Sequence, residues 1–106
     1  MIIVTSSEVA GKKIVETLGL VRGTTVRARH VGNDIIAYLR NLVGGEVLEY
    51  TKMLAEAREQ ALDRMTEEAR KLGANAVIDV RFSTSNIASG AAEILVYGTA
   101  VKLEDG

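Results

Sequence analysis

The feature that most constrains this chain is a run of apolar side chains at helical spacing, set between glycines. Val47, Tyr50, Leu54, Ala57, Ala61, Met65, Ala69 and Leu72 recur in steps of three and four, drawing one stripe along a single long helix over residues 46–72. Glu49, Lys52, Glu56, Gln60, Asp63, Glu67 and Arg70 take the other side. Gly44 and Gly45 open the helix and Gly73 is placed as a left-handed cap. Glu46 and Glu49 complement the positive end of the helix dipole, Arg70 and Lys71 the negative end. Such a helix is roughly 40 Å long, about as wide as a whole domain of this size. The rest of the chain must therefore lie across it. A length of 106 residues leaves room for one core, so residues 1–106 are read as a single domain.

Before the helix, residues 2–4 read as a brief strand, and strand character returns from Lys13 with Gly19 and Gly23 as bulges or bends. Over residues 24–30, Val26, Ala28 and His30 point one way and Arg27 and Arg29 the other. Gly32, Asn33 and Asp34 stop that strand and cap a short amphipathic helix carrying Ile35, Ile36, Leu39, Leu42 and Val43. Beyond Gly73 the period falls to two. Ile78, Val80 and Phe82 alternate with Asp79, Arg81 and Ser83, residues 83–91 read as a hairpin loop, and residues 93–103 form a last strand. In that strand Ile94 and Val96 share one face, and Leu95, Tyr97, Val101 and Leu103 the other. The expected fold class is α+β in two layers, a long helix packed on an antiparallel sheet, in the order β-β-α(short)-α(long)-β-β. Both faces of the last strand are apolar, more than the helices can cover, so an oligomer is expected.

Composition removes several classes of function. Without cysteine there is no disulfide and no thiolate chemistry. No apolar run approaches the roughly 20 residues needed to cross a bilayer, and the N-terminus lacks the basic region and long apolar core of a signal peptide, so a cytoplasmic protein with no membrane partner is expected. Residues 1–45 carry six Lys/Arg against three Asp/Glu, and residues 46–106 seven against eleven. The net charge of −1 and the 4 % aromatic content give no basic, aromatic-interleaved surface for nucleic acid.

Several separate stretches carry a family resemblance: residues 19–23 (GLVRG), 27–32 (RARHVG), 39–46 (LRNLVGGE), 72–77 (LGANAV) and 97–101 (YGTAV). Together they resemble the YbjQ-like family and span nearly the whole chain. The resemblance implies a small α/β subunit that assembles into a homopentamer, in a family labelled as heavy-metal-binding and otherwise without an assigned activity.

His30 is the sole imidazole, with Asp34 four residues on, and these two are the candidate metal ligands for a divalent ion. One histidine cannot complete a four-donor site, so it would act with carboxylates or with symmetry-related copies of itself. The competing reading is a strand-end histidine bonded to nearby backbone or to Asp34. Arg27, Arg29 and Arg40 are the candidate anion-binding residues, because guanidinium forks match carboxylate and phosphate oxygens. Glu46 and Glu49 could instead receive Arg29 or Arg40 in salt bridges between subunits. Met53 and Met65 read as core filler. The serines lie in turns with no nucleophile motif. The chain is therefore read as a non-enzymatic, homo-oligomeric binding or scaffold module for a metal ion or small anion, pentameric by the resemblance, the alternative being a weak hydrolytic or acid-base enzyme using His30 with Glu49.

Overall fold

The computed structural model describes residues 1–28, 45–88 and 90–106, residues 45–50 as helix backbone alone. Five elements follow one another: β1 (Ile2–Ile3), β2 (Lys12–Ala28), α1 (Gly45–Lys71), β3 (Ala76–Ala88) and β4 (Ala91–Asp105). The strands form one sheet in the order β1-β3-β4-β2. β4 pairs antiparallel with both neighbours, whereas β1 pairs parallel with β3 through Ile2 opposite Ala76 and Ile3 opposite Val77.

Two expectations are thereby corrected. The sheet is mixed, not antiparallel, because residues 2–3 return to the start of β3 and not to β2, their neighbour in sequence. The order among the described residues is β-β-α-β-β with one helix, and the short helix expected over residues 35–43 lies outside the described residues. Nor does α1 span the sheet evenly, since it lies chiefly along β2 and β4 and barely reaches β3.

The reason is visible in the side chains. Ala57, Ala61, Met65 and Ala69 are fully buried and meet Val21, Val77, Val80, Ile94, Val96 and Ala100 in the principal core. Three of these four helix residues are alanines, so helix and β2 come very close. Gly23 marks the closest approach: a Cβ there would stand 2.0 Å from the Ala61 carbonyl oxygen and 2.7 Å from the Met65 nitrogen. Two residues on, the buried Thr25 donates from Oγ1 to the Ala57 carbonyl at 3.0 Å. A hydroxyl buried between two elements thus has its partner. Gly19, not Gly23, marks an irregularity in β2, with φ 119° at a register shift.

The helix ends as its sequence directs. Gly73 takes φ 85°, Gly73 N–H donates to the Arg70 carbonyl and Ala74 N–H to the Ala69 carbonyl, the paired bonds of a Schellman cap. Asn75 then acts as a piece of strand: its Nδ2 donates to the Leu103 carbonyl at 2.9 Å and its Oδ1 accepts from Leu103 N–H at 2.8 Å.

β3 departs from simple alternation. Asp79 has φ 54° and the register with β4 slips between Ile78 and Arg81. Ile78 and Val80, expected on one face, consequently sit in different clusters, Ile78 with Ala76, Val101 and Leu103, and Val80 in the core beneath α1. The polar stretch read as a loop over residues 83–91 is strand as far as Ala88, because Ser83, Thr84, Ser85 and Asn86 pair in register with Leu95, Ile94, Glu93 and Ala92. Backbone pairing there outweighs weak strand propensity.

Candidate functional site

Of the residues singled out in the sequence, Arg27 can be placed in full. It lies near the end of β2 on the helix side, half-buried, and its Nη2 donates to Gln60 Oε1 at 2.6 Å. That contact ties the strand end to α1 and leaves the remaining guanidinium N–H groups for another acceptor. Arg29, His30, Asp34 and Arg40 lie outside the described residues, and Glu49 belongs to the first turns of α1 with its side chain outside them too. The metal pair, most of the anion set and the His30–Glu49 alternative are therefore untouched by the geometry.

The strand register does separate the arginines of β2. Val21, Gly23, Thr25 and Arg27 are on the helix side, while Leu20, Arg22, Thr24 and Val26 face away. On that opposite, open face, Arg22 stands opposite Tyr97 and Tyr97 opposite Arg81, so the three form one row across β2, β4 and β3. Arg81 was not among the sequence candidates. Its Nη1 donates to the Thr5 and Val80 carbonyls, at 2.8 and 2.9 Å. The lower end of the open face is closed by the N-terminal segment, with Val4 and Val9 packed on Ala76, Ile78, Val101 and Leu103.

The same segment is stitched to the bulge in β3. Asp79 N–H donates to the Ser6 carbonyl at 3.0 Å, Val80 N–H to the Val4 carbonyl at 3.1 Å, and Ser7 Oγ to Asp79 Oδ1 at 2.6 Å. A serine whose hydroxyl is committed to a carboxylate, a weak base for an alcohol proton, and that has no imidazole beside it among the described residues, is not an activated nucleophile. It reads as a clamp holding Asp79 in its left-handed conformation. The register could not reveal this pairing, since residues 7 and 79 are joined only by the parallel return of β1.

The Asp105 carboxyl is held below the usual carboxylate range by its hydrogen bond to Lys12 at 2.7 Å and by the ammonium charge, in a fully exposed setting. This pair fastens the start of β2 to the end of β4 and has no catalytic geometry. Among the described residues, no three of the His, Cys, Asp and Glu side chains come together as metal donors. With no cysteine and one histidine in the chain, the described residues of a single copy do not fit a soft-metal site. No helix among the described residues is long and apolar enough to cross a membrane.

Comparison with known proteins places the chain among relatives that it matches over most of their own length. A UPF0145 protein of Methanosarcina acetivorans is 59 % identical over 103 residues, covering 97 % of each chain. One from Halorubrum lacusprofundi is 63 % identical over 98 residues, 92 % of this chain and 94 % of that one. A third, from Pyrococcus horikoshii, is 60 % identical over 104 residues, 98 % and 89 %. Among solved structures, a Pediococcus pentosaceus protein of unknown function from the DUF74 family superposes with a TM-score of 0.60, covering 98 % of both chains at 18 % identity, a likeness of fold alone. The YbjQ family profile, described as "Putative heavy-metal-binding", matches residues 1–104. With nearly its whole length matched, the chain belongs to the YbjQ family.

Proposed function

We propose that this chain is a self-assembling, non-enzymatic module, a ring of identical copies, five by the family resemblance, that holds a metal ion or small anion where copies meet. The observation that supports assembly is the open face of the sheet. Leu20 is 64 % exposed and Val26 52 %, and Tyr97 and the half-buried Leu95 lie beside them on the same face. Large apolar side chains that share one face mark a surface fitted to be covered. The proportions agree: the Cα radius of gyration is 17.6 Å, against ~13 Å for a compact chain of this length. An elongated subunit with one helix-covered face leaves the other to a second copy.

The ligand reading rests on residue chemistry. His30 and Asp34 offer nitrogen and oxygen donors, which repetition around a ring would multiply to the number a divalent ion needs. Arg27, Arg29 and Arg40 supply guanidinium groups suited to an oxyanion. Native mass spectrometry of untagged protein tests both parts. The expected result is a multiple of the 11.4 kDa chain mass, with melting temperature rising on addition of zinc or phosphate by mass-action linkage and no rise in His30→Ala with zinc. A monomer would overturn the assembly, and an assembly indifferent to both ions would overturn the ligand.

A further inference from the structure

The open sheet face and the outer face of α1 carry opposite charge on surfaces of similar width. We infer that in the assembled protein the open sheet face of one copy receives the outer face of α1 from the next. This rests on the self-assembly proposed above and names the two surfaces that meet.

The receiving surface is the Arg22–Tyr97–Arg81 row with Leu20, Val26 and Leu95 around it. Arg22 is exposed and has no hydrogen bond or ion pair to satisfy its charge among the described residues. Arg81 commits one terminal nitrogen to the Thr5 and Val80 carbonyls, and no carboxylate pairs its charge among the described residues. Among the described residues of this face, Asp105 is held by Lys12 at the far end of the strands and Glu93 stands in the row of Val26 and Ser85, two rows removed from the arginines. A covering surface without carboxylates would strand two guanidinium groups away from water, which is strongly disfavoured. The cover must therefore be acidic along this row. Two like sheet faces stacked on each other would oppose arginine with arginine, so symmetric sheet-to-sheet pairing is disfavoured as well.

The outer face of α1 meets the requirement. At about 100° per residue, Glu56, Glu59, Asp63 and Glu67 fall within ~80° of one another, opposite the buried Ala57, Ala61, Met65 and Ala69, and all four are exposed. Glu67 is engaged by Arg70 at 2.7 Å, while Glu56, Glu59 and Asp63 have no ion-pair partner among the described residues. Lys52 and Arg70 flank the stripe at its ends, Arg58 is half-buried on the side of the helix away from the stripe, and Arg64 is turned to the Thr24 carbonyl. Arg22 and Arg81 are two strand spacings apart, ~10 Å, and a helix with its side chains is ~10–12 Å wide. The two surfaces lie on opposite sides of one copy, so each copy gives one and receives with the other. Such head-to-tail contact closes into a ring where the rotation fits.

Charge reversal read by native mass spectrometry tests this. Glu59→Lys/Asp63→Lys, Arg22→Glu/Arg81→Glu and Arg22→Glu alone are each expected to assemble at least tenfold more weakly than the parent chain, with unchanged helical circular dichroism. The single variant keeps the test intact if loss of the Arg81 contacts unfolds the double one. Combining Arg22→Glu with Glu59→Lys/Asp63→Lys in one chain, which makes every junction of a ring complementary again, should restore assembly. Variants that assemble as the parent does, or that dissociate without rescue, would overturn the inference while leaving self-assembly standing. A parent chain that is itself monomeric overturns self-assembly directly, and this inference with it.

Discussion

At Gly23 the fold depends on a side chain being absent. The Ala61 carbonyl and the Met65 nitrogen occupy the space a Cβ would need, and both are backbone atoms that cannot swing aside. Gly23→Ala should therefore destabilise the protein by about 2–3 kcal/mol, the upper range for overpacking, measured as a lower urea midpoint at unchanged slope. A change under ~0.5 kcal/mol, the scale of ordinary surface substitutions, would contradict the close approach. Thr25 explains why a hydroxyl is found among core side chains, since it reaches the Ala57 carbonyl of a helix brought near by that same glycine. Asp79 is the third such position. Its φ of 54° suits Asp better than most side chains because a short carboxylate can accept locally, here from Ser7. The sequence marks Gly23 as unusual without saying whether a bend or a contact requires it.

Among the elements, α1 was the most legible. Its 3.6-residue apolar period, its dipole-matched termini and the Gly73 cap are all local, and each is present in the structure. Leu72 at the end of the stripe nonetheless stays 46 % exposed, because the helix stops at Lys71. Met65, fully buried among core residues, should be the costlier truncation. Met65→Ala is expected to lose about 2–5 kcal/mol by chemical denaturation and Leu72→Ala under ~1.5 kcal/mol, in keeping with its smaller burial. The strands were less legible. The parallel return of β1 joins segments more than seventy residues apart, and polar Ser83–Asn86 are strand because β4 pairs with them. The bulge at Asp79 moves Ile78 and Val80 to opposite faces, which alternation alone reads as one face.

Across the whole molecule, the beginning of β2 and the end of β4 are clasped by Lys12 and Asp105. Asp105 has a lowered folded-state pKa, so its contribution is present above the unfolded value and is lost as pH falls through the folded one. Carbon-detected NMR titration should find Asp105 below the ordinary carboxylate range, and Lys12→Ala should return it there; no movement would show the clasp to be absent in solution. Only the packed chain sorts its arginines, Arg27 beside Gln60 under the helix and Arg22 with Arg81 on the open face. His30, Asp34, Arg29 and Arg40 remain candidates by their chemistry. By itself the sequence determined the long helix, its Gly73 cap, the two-faced last strand and the missing thiolates, because periodicity, capping and composition act over a few residues. The tertiary structure alone decided strand order, the mixed sheet, the slip at Asp79 and which charges share a face, because those depend on contacts between segments that lie far apart along the chain.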